Sequence, residues 1–461
     1  MVGALKKMPI RWDPRNQANL FIYIAKWFII LLPVAALIGS ACAFFLISLN
    51  KAVDCHWQNP WLLYLLPVAG IVIGWTYHKL GRASEGGNNL IVEQIHEPGG
   101  GVPASMAPLI LGGTLLTHLF GGSAGREGTA VQMGGSIASA FGRVFSISRD
   151  DTRVLLMAGV AAGFGAVFGT PVTGAVFAME VVALGAMRYE ALMPCLIASI
   201  VGDWSCSAWG VSHTAYTVKL SEVPHLNLML ALKVAVAAVV FGLASLLFAE
   251  TAHGLHYLFK KAIPSPVFRP FVGGCLVIAL VFLVDSRDYL MLGVTAQPDN
   301  LPHVSILSSF QPNGAHTWSW LWKLIFTCVT ISSGFKGGEV TPLFFIGAAL
   351  GNTMAVVLGA PTDLFAALGF IAVFAGAANT PLACTIMGIE LFKSEYAVYF
   401  ALACFLSYLF SGHSGIYLSQ RIGSPKYATL IESGASLRSA REQLPSVPGT
   451  VMRRVKAWFS K

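Results

Sequence analysis

GSAGREGTA, residues 122–130, sets the carboxylate of Glu127 among three glycines, Gly122, Gly125 and Gly128, in the middle of apolar sequence. The glycines free the backbone and a helix-forming run follows, so the stretch reads as an irregular approach to a helix N-terminus. Such a terminus attracts anions, because its unpaired N–H groups and the positive end of the helix dipole point outward. A carboxylate placed there can itself be the bound anion and can be displaced by a free one. The plainer reading is an ion pair with the adjacent Arg126, or a helix cap on a loop at the membrane surface. SGFKGGEVTPLFF, residues 333–345, repeats the construction, with Gly337 and Gly338 before Glu339 and Pro342 in the first helical turn. Its plainer reading pairs Glu339 with Lys336. SEGGNNLI, residues 84–91, offers the amides of Asn88 and Asn89 where an apolar helix begins, and alone would be a turn with an N-cap.

The chain around these elements has 461 residues, 55% apolar and 11% charged, against about 25% charged in a soluble domain. Such a surface cannot be kept in water. The formal charge of +8 comes from basic residues near the chain ends, not from a stripe through folded surface, which argues against nucleic-acid binding. Eight cysteines without a CxxC read as small buried hydrophobes, not as a disulfide or zinc framework. The first apolar run, residues 20–49, is too long for the h-region of a signal peptide. Further runs cover residues 61–77, 104–125, 154–187, 226–249, 270–284, 342–360, 364–389 and 396–420. Several are shorter than a bilayer needs or are cut by Gly and Pro, so tilted, uneven and broken helices are expected. Lys6, Lys7, Arg11 and Arg15 at one end and eight Lys/Arg after residue 420 at the other place both termini in the cytoplasm. The expected layout is an N-terminal segment at 1–19, a membrane domain at 20–424 and a short tail at 425–461.

The membrane domain also repeats itself. Thr170-Pro171 precedes Glu180 as Thr380-Pro381 precedes Glu390, at an offset of 210 residues; Glu127, Thr129 and Gly135 correspond to Glu339, Thr341 and Gly347 at an offset of 212. Two halves of similar plan, roughly 20–220 and 225–424, are implied. Repeats with Gly/Pro-broken apolar segments at matching places point to a transport site between half-helices near the midplane. Acidic residues in such sequence need a reason. Glu180 and Glu390 read as structural groups bonded to loop or helix-end N–H groups.

Together the three glycine-rich elements resemble the CLC family of anion channels and anion–proton antiporters, over about residues 20–420. The resemblance implies an all-α polytopic membrane protein with a CLC-type inverted repeat of tilted and broken helices, assembled as a homodimer in lipid. Chloride-type members usually show GSGIP, GREGP and GxFxP, where this chain has GGNNLI (86–91), GREGT (125–129) and GEVTP (338–342). That combination is similar to the fluoride–proton antiporter branch. By this match Asn88 stands for the anion-binding serine, Glu127 for the gating glutamate, and Glu339 with Thr341 for the branch's central glutamate and threonine. Gly125, Arg126, Gly128, Val340 and Tyr417 complete the implied anion site, with Tyr417 matching less closely. The place of a further internal glutamate in chloride antiporters is Val181 here, which leaves Glu339 as the natural substitute in the proton route. The implied activity is exchange of cytoplasmic fluoride for inward protons across a bacterial plasma membrane, with no cofactor and no enzymatic step. A chloride-type transporter or a passive anion channel would use the same termini. GHSG (412–415) with His253 or His256 also fits, weakly, an intramembrane serine protease. His118 and His413 have no metal-ligand spacing and read as pore-lining or hydrogen-bonded residues.

Overall fold

The computed structural model describes residues 14–218, 227–295, 297, 303–427 and 434–443. Within them the chain is helical almost throughout. The first half runs α1 (Pro14–Gln58), α2 (Leu66–Leu80), α3 (Gly87–His96), α4 (Met106–Leu119), α5 (Glu127–Val144), α6 (Arg149–Phe168), α7 (Pro171–Glu180) and α8 (Leu192–Ala208). The second runs α9 (Leu228–Ala262), α10 (Arg269–Val284), α11 (Ser319–Ser332), α12 (Val340–Leu358), α13 (Thr362–Ala378), α14 (Pro381–Phe392) and α15 (Ala397–Phe410), and α16 (Leu437–Gln443) follows. Six helices are long and apolar enough to cross a membrane and six shorter ones are apolar. At 45 residues, α1 is about 67 Å long, more than twice a bilayer core, while α3 and α7 have 10 residues each and cannot span it.

The expected breaks are where the sequence puts them. Gly169 ends α6 and Asn379 ends α13, both left-handed, and in each case Thr-Pro opens the next helix. Pro171 and Pro381 occupy first-turn positions, where the missing N–H costs nothing. The apolar runs at 154–187 and 364–389 are therefore two helices each. Besides α3 and α5, which the glycine-rich stretches before them announce, two membrane-domain helices, α8 and α11, fall outside the expected runs, because Asp203, Lys323 and several Ser, Thr and Cys residues dilute their hydropathy. The helix of the N-terminal segment begins at Pro14, not at residue 20.

Within each half, helices cross where side chains are smallest. A Cβ on Gly347 would lie 2.0 Å from the Gly369 carbonyl oxygen, and one on Gly369 equally close to that of Gly347, so α12 and α13 touch backbone to backbone. Between the halves lies an aromatic core. Phe344 of α12 stacks on Phe370 at 3.8 Å and reaches Phe168 of α6 at 5.4 Å, while Phe177 meets Phe374 at 5.8 Å. Side chains such as Ile29, Trp204 and Leu283 face outward, as a lipid-facing surface requires. Cys55 and Cys275 are exposed, so for these two the expectation of burial fails.

Among the described residues strands are confined to β1 (Ala183–Leu184) and β2 (Arg421–Ile422), a parallel pair. It joins the end of α7 to the segment after α15, and α16 folds back on it through buried Leu437 and Ala440. Tyr23 of α1 donates to the Glu190 carbonyl and Lys26 pairs with Asp151, so both described chain ends lie on one face. The second half's start, near residue 225, and most of the tail lie outside the described residues.

Candidate functional site

The first-half loop into α5 is held from behind. His118 on α4 meets the Ala124 carbonyl at 3.0 Å, and Ser123 bonds Thr327 at 2.9 Å and Thr330 through its amide on α11. The loop then pairs with its counterpart from the other half. Gly125 N–H donates to Gly338 O at 2.6 Å and Gly338 N–H to Gly125 O at 2.7 Å, a one-step antiparallel bridge between the repeats. Glycine is required, since a Cβ on Gly338 would be 2.6 Å from the Gly128 nitrogen. The bridge aims α5 and α12 at each other by their N-termini.

Glu127 lies between those termini, 1% exposed. The Thr341 hydroxyl donates to its Oε1 at 2.5 Å and the Thr341 amide to its Oε2 at 3.0 Å, with the Arg126 amide adding a bond at 3.1 Å. The carboxylate is thus bound as an anion by the first turn of α12. The Arg126 guanidinium approaches to 3.5 Å without a hydrogen bond from Nε, so the ion-pair reading supplies only part of its environment.

Glu339 is placed differently. Its Oε2 is buried without a hydrogen-bond partner, and Lys336 turns its ammonium to the Tyr77 ring, 3.9 Å from the centroid. Among the described residues Glu339 has no ion pair. A Cβ built on Gly128 would lie 3.1 Å from Asn88 Nδ2 and 3.7 Å from Glu339 Oε2; amide and carboxylate therefore flank the α5 N-terminus together. Asn89 has a structural task, its Oδ1 accepting from the Ser419 amide at 2.9 Å. That bond ties α3 to the segment carrying Tyr417, which is buried and within electrostatic reach of both Glu339 and Glu127. Val340 is buried beside Glu339. Asn88, Gly125, Arg126, Glu127, Gly128, Glu339, Val340, Thr341 and Tyr417 thus converge on one place. His118, read from the sequence as pore-lining or hydrogen-bonded, is hydrogen-bonded; the sequence reading missed Ser123, Thr327 and Thr330 beside it, although Thr327 and Thr330 share a helix face at i, i+3 and could have been singled out.

Glu180 and Glu390 are structural. Glu180 accepts from the amides of Leu382 and Ala383 in the first turn of α14, and Glu390 from those of Val172 and Thr173 in the first turn of α7. Val181 is buried, and its carbonyl accepts from Gln420. The protease constellation is not assembled, since Ser414 donates to Glu250 and His253 Nε2 meets the Gly415 carbonyl.

Comparison with known proteins agrees with this geometry. The voltage gated chloride channel family profile matches residues 69–412. A chloride/fluoride channel protein of Pseudomonas syringae pv. tomato is 49% identical over 412 residues, covering 89% of this chain and 90% of that protein. The H(+)/Cl(-) exchange transporter ClcA of Vibrio cholerae is 23% identical over 340 residues, 70% of this chain and 68% of its own length. The crystal structure of a CLC-type fluoride/proton antiporter superposes with a TM-score of 0.81 at 32% identity, covering 87% of this chain and 98% of the other. Two halves bridged at Gly125 and Gly338, with helix termini converging on a buried carboxylate, and these similarities lead to one assignment: the chain belongs to the voltage-gated chloride channel, or CLC, family.

Proposed function

We propose that the protein is a fluoride–proton antiporter that expels fluoride from the cytoplasm in exchange for inward-moving protons. The observation that carries this reading is the capture of the Glu127 carboxylate by the Thr341 hydroxyl and amide, beside the Asn88 amide and the unpartnered Glu339 oxygen. Fluoride is small, strongly hydrated and a strong acceptor, so leaving water must be compensated by short bonds from good donors. Thr341 and Asn88 are such donors. The likeness to proteins named for fluoride supports the same choice.

Exchange follows from charge. As a carboxylate, Glu127 occupies the α12 terminus; as a neutral acid it no longer competes, and an anion can take the Thr341 donors. An anion there raises the affinity of both glutamates for protons, and a proton on either lowers the repulsion that keeps an anion out. Glu339, with no internal glutamate at Val181, carries the inner part of the proton route. The reading includes a homodimer in a bacterial plasma membrane with both termini cytoplasmic, for which the basic chain ends and the family resemblance are the support, and it includes no enzymatic activity.

Purified protein in liposomes tests it. Fluoride efflux, followed by ion electrode, should greatly exceed chloride efflux and should drive proton uptake reported by a pH-sensitive dye. Equal efflux of the two anions would favour a chloride-type transporter, and fluoride efflux without proton movement a passive channel.

A further inference from the structure

On the face opposite the described chain ends, the last turns of α8 meet the segment at 209–218. Asp203 Oδ1 and His213 Nε2 face each other there at 3.8 Å. Both atoms are buried and neither has a hydrogen-bond partner. The imidazole lies beside the Val167 carbonyl, and with Nε2 unpartnered that carbonyl is the acceptor available to Nδ1–H. A neutral imidazole donating through Nδ1 presents a lone pair at Nε2. Two lone pairs then face each other across a buried gap, an arrangement that native structures avoid unless a proton lies between them.

We propose that Asp203 and His213 together form a proton-binding site at the end of the anion pathway away from the chain termini, holding one exchangeable proton between carboxylate and Nε2. Binding takes up one proton from water, draws the two atoms from 3.8 Å into hydrogen-bond range and converts a carboxylate beside a neutral imidazole into a neutral hydrogen-bonded pair; release returns that proton. The site rests on the exchange reading, because it matters only if protons are transported.

The surrounding charges connect it to Glu127. Arg126, at the start of α5, is the cation facing His213, Glu390 from α14 faces Asp203, and the Cys206 thiol on α8 lies beside Asp203. Burial, and then the Arg126 cation, hold the His213 imidazole below its ordinary value, so the carboxylate has a large share of the proton. Arg126 is also the residue 3.5 Å from Glu127. With its proton the pair is neutral; without it, the pair carries a negative charge in the neighbourhood of the Arg126 cation that faces His213. Loss of the pair's proton therefore changes the field at Arg126, the neighbour of Glu127.

Amide substitutions separate this role from packing. In Asp203→Asn the side-chain amide donates to a neutral Nε2 at every pH, and in His213→Gln the new amide donates to Asp203, so neither variant needs the proton. Fluoride efflux is measured from liposomes with equal pH inside and out, from about pH 5 to about pH 8, where histidine-linked sites titrate. The wild-type rate should fall as pH rises. Asp203→Asn, uncharged like the protonated pair, should match wild type at the acid end, and His213→Gln, which keeps the Asp203 charge, at the alkaline end; each should flatten the fall by at least about threefold, the change expected when half a pKa unit of coupling is removed, and the double variant should behave as Asp203→Asn. Profiles that superimpose on wild type, or single effects that add in the double variant, would overturn the site. If Asp203→Asn does not elute as assembled protein, His213→Gln, in the loop, carries the test alone. Fluoride-driven proton uptake by the wild type is recorded in parallel; its absence would count against the exchange reading, whereas coupled wild-type transport with unaltered variants would count against this site alone.

Discussion

Among the described residues four glutamates are buried or half-buried, in two repeat-related pairs, and the pairs are treated differently. Glu180 and Glu390 are reciprocal: each comes from the end of one half's helix and binds two amides opening the equivalent helix of the other half. Glu127 and Glu339 begin from the same symmetry and abandon it. Thr341 reaches across to Glu127, but its counterpart Thr129 turns to Thr114 at 2.7 Å and leaves Glu339 Oε2 without a partner. A carboxylate with its donors satisfied is a clamp. One whose donors can be taken by another anion, next to one with an unpartnered oxygen, is machinery, because both can change protonation without unfolding what surrounds them.

Removing the titrating group from the unsymmetrical pair should have the largest effect. Glu127→Gln keeps the shape and removes the proton, so fluoride gradients should no longer drive proton uptake, a loss of at least about a hundredfold by dye assay, given what a positioned proton-transfer group contributes. Normal uphill uptake by that variant would leave Glu127 a partner of Arg126 and nothing more. Glu339→Gln should abolish coupled fluoride exit while the assembly elutes normally, because an amide is easier to bury than a carboxylate. Were it to transport and couple like wild type, Glu339 would be a helix cap. Thr341→Val removes one donor and keeps the volume; losing a bond to a charged group, about 1.5–3 kcal/mol, should weaken fluoride binding by roughly tenfold to a hundredfold in calorimetry. Unchanged affinity would mean that fluoride does not use the position Glu127 holds. Asn88→Ser should have a smaller effect, narrowing the fluoride-to-chloride efflux ratio by up to about tenfold; a ratio that stays put would move selectivity to Thr341 and the backbone.

Much of this was legible because it is local. Gly-rich approaches to helix N-termini, Thr-Pro openings and the 210-residue repeat are written in adjacent residues, and each has one physical reading. What the sequence could not show is which carboxylate the donors choose, since Thr341 is two residues from Glu339 and 214 from Glu127. Nor could it reveal that Lys336 prefers the Tyr77 ring to Glu339, a choice made by α2. The α8 and α11 helices were hidden because polar side chains that serve neighbouring elements, such as Lys323 bonding the carbonyls of Tyr289 and Met291, lower the hydropathy of the segments carrying them.

The smallest expected effect lies in the symmetrical pair, where the symmetry is itself testable. Glutamine at position 180 or 390 keeps one acceptor oxygen but turns an NH2 toward an amide that needs an acceptor, so each substitution should destabilise the protein by about 1.5–3 kcal/mol, the range for a hydrogen bond to a charged group. Neither should alter the fluoride-to-chloride ratio or the proton coupling of the protein that remains folded. The two costs should not be equal. Glu390 receives a third bond, from the Thr173 hydroxyl at 2.5 Å, and the residue at the matching place for Glu180 is Ala383, which has no hydroxyl. Glu390→Gln should therefore lower the thermal midpoint more than Glu180→Gln, and Thr173→Ala should remove most of the difference. Equal midpoints would mean that the Thr173 hydroxyl adds nothing to the clamp, and a change in coupling from either substitution would move these glutamates out of the structural pair and into the exchange mechanism.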